Sequence, residues 1–346
     1  MKSCKNVIAV AVAASLAAPV IAQAEAEVYG NVRVSAGVVS DDNPGATAED
    51  SKFSVTSHAS RLGFKGSDDL GDGLIAIWQI ESQVDFDDSS GGLFDGMRNT
   101  FVGLKGGFGK VIAGRHDTPY KLAAKDADIF VDLHADYTGA VLSKTHDTRF
   151  DNLVAYFSPT WSGLNFIVGV SGDTANDDLP DAANTDKKDA ASGEVTYEIG
   201  PVSASIAAQT ISNGTGNPDK KAAKAGVIYK LDNASRFAFV YENAEEGAAL
   251  DQNALYLSAA HDFGGMTLKG ALGQKGETAS GANDGSDFAA LGLFKTMSKT
   301  TELYALYTQT ANDTAGTNGL AEVSPGFADK TTSALVVGIN LTFSSK

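Results

Sequence analysis

The feature that most constrains this chain is a period of two that keeps returning from Val28 to the C-terminal end. Val28, Val32, Val34, Ala36 and Val38 share one face of an extended segment, with Asn31, Arg33 and Ser35 on the other. Side chains of a strand point alternately to opposite sides, whereas a helix repeats its apolar residues every three or four positions. The last stretch is the clearest: Leu335, Val337, Ile339, Leu341 and Phe343 alternate with Val336, Gly338, Asn340 and Thr342. The pattern recurs where Leu74, Ala76, Trp78 and Ile80 stand opposite Gln79, Glu81 and Gln83, and again around Phe166, Phe239 and Leu268. Segments such as 254–260 leave the parity open.

The connections have a rhythm of their own. Tight turns are expected at 67–73, 106–109, 158–163, 200–201, 232–233, 262–265 and 297–299. Between them lie longer acidic or Gly/Asn-rich stretches at 40–51, 85–97, 119–147, 173–189, 212–220, 245–250, 276–285 and 310–328. Seven short and eight long connections make sixteen strands. A soluble sandwich hides its apolar face in one shared core and has little use for so many strands in strict alternation. A barrel in a membrane does: its backbone groups must pair within hydrocarbon, closure removes the edges, and apolar side chains face lipid around a polar lumen. Each strand and its connection receives about 20 residues, which suits membrane strands of roughly 9 to 11. The expected fold class is all-β, a 16-stranded antiparallel transmembrane β-barrel. Helical spanning is excluded, since the longest uncharged run, 152–172, is broken by Ser158-Pro159-Thr160 and Ser162-Gly163.

The first 24 residues are a separate object. Lys2 and Lys5 precede an apolar run that ends in Ala22-Gln23-Ala24, the pattern of an export signal with an A-x-A cleavage site. Cleavage there starts the mature barrel at Glu25 and leaves 322 residues with a net charge of −18, because two lysines depart from a chain of net charge −16. Cys4, the single cysteine, departs as well, so no disulfide can brace the protein in an oxidising compartment. The acidity argues against nucleic acid as a partner.

Some inward positions carry charges that a dry core would reject, among them Arg61 and Lys65 beside Leu62 and Phe64, and Arg98 out of phase with Phe101. Water must reach them, and a sixteen-stranded barrel encloses an aqueous channel. The third long connection, of about 30 residues, is the expected partial plug, since a loop of that length in a compact protein usually has a function. It contains the apolar cluster Ile129, Phe130, Val131 and Leu133, which suits packing against the barrel wall. Folded inward, it would set Asp126, Asp128, Asp132 and Asp136 opposite Arg33, Arg61 and Arg98, creating a transverse field. The net acidity and these aspartates point to a mild cation preference at low salt; the arginines with Lys121, Lys125 and Lys144 pull the other way.

Several motifs then resemble a known family. Ser60-Arg61-Leu62-Gly63-Phe64-Lys65-Gly66 with Asp68-Asp69-Leu70-Gly71-Asp72-Gly73, Arg98-Asn99-Thr100-Phe101-Val102-Gly103-Leu104, Gly114-Arg115 and Arg149-Phe150-Asp151-Asn152 look like the Gram-negative general porins, in this order along the mature chain. The resemblance implies a homotrimeric outer-membrane porin, set among outer-membrane lipid and lipopolysaccharide, passing small hydrophilic solutes and ions through an eyelet made by the third loop. It also implies that Arg61 and Arg98 belong to a basic pore wall. Arg115 matches a family position that serves either the pore or a loop or subunit contact. Arg33 rests on strand parity alone. Two departures stand out: Phe343 is followed by Ser344-Ser345-Lys346 where relatives end in an aromatic, and the eyelet loop lacks the Pro-Glu-Phe-Gly run of the enterobacterial members.

Signals for an enzyme, a cofactor or a metal are weak. Gly106-Gly107-Phe108-Gly109-Lys110 lacks the spacing of a phosphate loop and reads as a hairpin turn. No G-x-S-x-G elbow is present. His58, His116, His134, His146 and His261 show no paired spacing. Asp85, Asp87 and Ser89 before Gly91 echo a calcium loop without its bidentate glutamate. The rival from another class, a surface-attached β-rich adhesin, calls for a fixed short repeat that the chain does not have.

Overall fold

A computed structural model describes residues 25–41, 51–87, 96–172, 189–212, 217–232, 234–247, 250–321 and 326–345. The expected export segment, most of the 40–51 and 173–189 connections, and Ser89 and Gly91 of the calcium-like stretch lie outside the described residues.

The strands are β1 (Glu25–Asp41), β2 (Ser51–Ser57), β3 (Arg61–Gly71), β4 (Leu74–Gln83), β5 (Thr100–Gly106) and β6 (Gly109–Asp117). After the third long connection, L3, come β7 (Arg149–Phe157), β8 (Leu164–Ser171), β9 (Ala190–Ile199), β10 (Val202–Ile211), β11 (Lys220–Lys230) and β12 (Ser235–Glu246). The last five are β13 (Leu250–Asp262), β14 (Met266–Lys275), β15 (Ser286–Thr296), β16 (Thr301–Asn312) and β17 (Thr331–Ser344). Every pairing is antiparallel; apart from β1 with β3 the strands pair with their sequence neighbours, and β1 closes the cylinder on β17 from Tyr29↔Ser344 to Asp41↔Thr332.

Seventeen segments make sixteen barrel strands, because β2 and β3 share one neighbour. The outer half of β1 pairs with β2 (Val34↔Ser57) and its inner half with β3 (Asn31↔Arg61). The break falls at 58–60, where Ala59 takes a positive φ of 45°. The ladder is mended locally: His58 N–H donates to the Arg33 carbonyl, and Ser60 Oγ accepts from the Arg33 N–H at 2.9 Å and donates to its carbonyl at 3.1 Å. A backbone donor in the barrel wall is thus not left unpaired.

The alternation sorts the two faces. Leu335 and Val337 are 62% and 63% exposed on the outside, while Val336 between them is 3% exposed and faces the lumen. Leu255, Leu257, Leu268, Leu272 and Phe239 are likewise outward, the apolar band that a lipid environment selects. No helix among the described residues is long and apolar enough to cross a membrane.

The main buried apolar cluster lies inside the barrel, between L3 and the wall. Phe130, Leu133, Val141 and Leu142 of L3 pack on Val240, Tyr256, Phe294, Leu306 and Val336. The wall makes room with glycine: a Cβ at Gly226 would collide with Ala124, and one at Gly273 with Val141. Close approach of the loop therefore depends on the missing side chain at both positions. Ile129, Phe130 and Leu133 of the expected apolar cluster are buried, whereas Val131 is exposed.

Candidate functional site

L3 leaves β6 and immediately forms a one-turn helix, α1 (Pro119–Leu122). Proline stands in its first turn, and Thr118 caps it by accepting from the Lys121 N–H at 3.1 Å. A 3₁₀ turn (Lys125–Ala127) and a short distorted turn, α2 (Tyr137–Ala140), follow. The loop seats its apolar side on the β12–β17 wall, which leaves an open passage on the opposite side of the lumen.

Five arginines border that passage: Arg33 from β1, Arg61 from β3, Arg98 just before β5, Arg115 from β6 and Arg149 from β7. Together with the free edge of L3 they enclose about 600 Å³. Each guanidinium is held by a carboxylate. Asp132 at the L3 tip accepts from Arg33 Nη1 at 2.5 Å and from Arg61 Nη2. Glu81 on β4 accepts from Arg98 Nε at 3.0 Å and from the Tyr29 hydroxyl at 2.9 Å. Arg149 pairs with Asp117 at 3.0 Å, and Arg115 pairs with Asp151 at 2.5 Å while donating to the Met97 carbonyl. Such bonds fix the planar forks in orientation, with Arg33, Arg61, Arg115 and Arg149 partly exposed and Arg98 buried.

The four L3 aspartates part company. Only Asp132 touches the arginines. Burial pushes its carboxyl up, but Arg61, Arg33 and Arg98 outweigh burial and hold it below the ordinary carboxylate range. Asp136 also borders the passage, yet its oxygens accept from the Asp132 and Thr138 N–H groups, both at 2.7 Å, so it braces the tip and caps α2. Asp128 is buried and accepts from the Phe130 N–H at 2.8 Å and the Tyr137 N–H at 3.2 Å. Burial, and then the neighbouring carboxylate, pushes both Asp128 and Asp136 up. Asp126 is exposed on another side of the loop, beside a smaller cavity of about 130 Å³ shared with Glu194 and Glu198.

Arg149 and Asp117 lie outside the set of site residues expected from the sequence. They stand at the two roots of L3, one residue type entering the loop and its counter-charge leaving it, and that flanking charge pair was the available signal. Around the passage, three lysines (Lys121, Lys125 and Lys144) join the five arginines against Asp117, Asp128, Asp132, Asp136 and Asp147. The lining residues balance toward cationic charge although the chain is acidic, with Glu81 and Asp151 behind Arg98 and Arg115 reducing the excess. His58 and His134 meet edge to face at 4.5 Å behind the tip. No group of three or more candidate ligands among the described residues is placed to hold a metal ion.

The model of the Gram-negative porin family matches residues 9–315. The chain belongs to the Gram-negative porin family. It is 35% identical over 167 residues to the major outer membrane protein P.IB of Neisseria meningitidis serogroup B, a match covering 46% of this chain and 47% of that protein. The chain thus spans about half the length of the neisserial relatives that it matches. Outer membrane porin protein 32 of Delftia acidovorans is 28% identical over 334 residues, covering 91% of this chain and 92% of that one. Among solved structures, an anion-selective porin from Comamonas acidovorans superposes with a TM-score of 0.79 at 24% identity, covering 93% of this porin and all of that chain. A trimer form of Vibrio cholerae OmpT gives 0.66 at 18% identity, with 92% and 99% covered. These two likenesses are of fold. This porin is a multi-pass β-barrel of the bacterial outer membrane.

Proposed function

We propose that this porin is a water-filled channel for passive diffusion of ions and small hydrophilic solutes, and that its passage favours anions at low salt. One observation carries the reading: L3 covers only one side of the lumen, and the uncovered side is a wall of arginines that border the passage with their forks held by carboxylates. Fixed charge lining a narrow aqueous path concentrates ions of opposite sign and loses that grip as salt screens it. The Delftia relative aligns along most of its length, and the Comamonas porin is described as anion-selective, which supports the same sign here.

Purified protein in a planar bilayer tests this. Stepwise conductance is expected, with a reversal potential under a salt gradient on the anion side that shrinks as ionic strength rises. A cation-side potential at low salt refutes the preference, and absence of steps refutes the channel. Catalysis forms no part of the proposal, since the family's members are channels.

The homotrimer belongs to the proposal as well, supported by the trimeric form of the Vibrio neighbour. Three equal steps per insertion are expected, with outer-membrane lipid and lipopolysaccharide around the assembly. Export and cleavage after Ala24 complete the reading, and a mature N-terminus at Glu25 is expected from sequencing the membrane-extracted protein. The adhesin alternative predicts release without detergent.

A further inference from the structure

Both limbs of L3 meet the wall at one pair of residues. Lys224 on β11 and Glu242 on β12 stand directly opposite each other in the ladder, and both are buried, at 2% and 1% exposed. Buried charges of this kind require partners, and the partners come from the loop. From the entering limb, the Tyr120 hydroxyl donates to Glu242 Oε2 at 2.5 Å, and the Tyr120 ring lies 4.3 Å from Lys224 Nζ. From the returning limb, the Ser143 N–H donates to Glu242 Oε1 at 2.6 Å, and Asp147 Oδ1 lies 3.4 Å from Lys224 Nζ. Asp147 Oδ2 receives Lys121 Nζ at 2.5 Å, which ties the returning limb to the entering one.

Apolar contact is non-directional and tolerates sliding, so the bed under Phe130 does not by itself set how far the loop reaches across the lumen. Directional bonds do, at the tip through Asp132 and at both roots through this pair. We propose that Lys224 and Glu242 are positioning residues that fix the span of L3, and with it the width of the passage. The proposal rests on the channel reading. The four charges, two of each sign, sum to zero, so the network acts on the geometry of the opening and adds little to its field.

The test is the double variant Lys224→Met/Glu242→Gln, with Tyr120→Phe and Asp147→Asn as loop-side variants that leave the wall intact. Single-channel conductance, open-channel noise, reversal potential and heat denaturation are recorded for each. The double variant is expected to give larger and noisier steps, with the reversal potential shifted toward zero because the fixed charges hold ions less firmly across a wider opening. Tyr120→Phe, which loses one bond and keeps the ring, is expected to move noise in the same direction by less. Should the double variant not assemble, the loop-side variants decide. Parental steps and noise in them, with or without a lower denaturation temperature, overturn the proposal and leave the residues merely structural. A parental protein without steps overturns the channel reading, and this inference with it.

Discussion

The inner surface of the barrel has two sides built on one alternation with opposite chemistry. From β12 to β17 the inward positions include Val240, Tyr256, Phe288, Phe294, Leu306 and Val336, roofed by L3, with Glu242 a buried charge that the loop itself partners. From β1 to β7 they include Arg33, Arg61, Glu81 and Arg149, lying in or against the passage. A strand's polarity pattern therefore reports what lies against its inner face. Where a loop excludes water the lumen wall is mostly apolar and the buried charges Lys224 and Glu242 are paired by the loop; where water enters the wall carries a row of arginines. L3 divides the lumen into those two environments.

The most damaging test of this contrast places a charge on the roofed side. Leu306→Asp buries an uncompensated carboxylate at a 1% exposed position, at a cost of several kcal/mol. Loss of the heat-resistant folded form on gels is expected, and normal assembly would erase the distinction between the two walls. Next in size is Phe130→Ala, which removes a fully buried ring of L3 and should cost about 3–5 kcal/mol. Calorimetry should show a lower transition temperature, and bilayer recordings larger steps.

On the open wall, Arg33→Ala/Arg61→Ala should leave assembly nearly intact and move the reversal potential toward the cation side, because Asp132 then faces the passage unpaired. Asp132→Asn should move it the other way. The pH dependence follows from the same site. The Asp132 carboxyl is depressed in the fold, so its contribution is complete above the unfolded value of about 3.9 and is lost only as pH falls through the lower folded value. Asp128 and Asp136 are raised, so their contribution is present at acid pH and lost as pH rises through their raised values. A titration step above the ordinary carboxylate range is therefore expected in the conductance–pH profile, and Asp128→Asn should remove or shift it. The smallest effect belongs to Lys65→Ala, whose partner Glu27 lies at 3.3 Å and whose side chain is 46% exposed. Thermal melts should register about 1 kcal/mol or less, with unchanged conductance.

Much of the fold was readable because each clue is local. All seven short connections fall between the paired strands expected of them, and the outward apolar rows are the ones that the alternation names. The broken strand was not readable: nothing in Thr56–Ser60 marks Ala59 for a positive φ, since alanine has no preference for that region. Its cause is tertiary, with Ser60 and His58 replacing ladder partners at Arg33. Among the site residues, net charge said little about the passage, because most of the chain's acids do not line it.

The roles of the four loop aspartates show where local information ends. They look equivalent in sequence, spaced by two or four residues, yet one meets arginines, two tie the loop's own backbone and one faces another cavity. What separates them is the seating of the segment, with Phe130 buried against Phe294 on a strand about 160 residues later. The sequence by itself determined the period, the strand count, the outward apolar face and the presence of one long loop that needs a wall, because all of these depend on neighbours along the chain. Only the tertiary structure decided which side of the lumen stays wet and which carboxylate faces the arginines, because those follow from contacts between residues far apart in sequence.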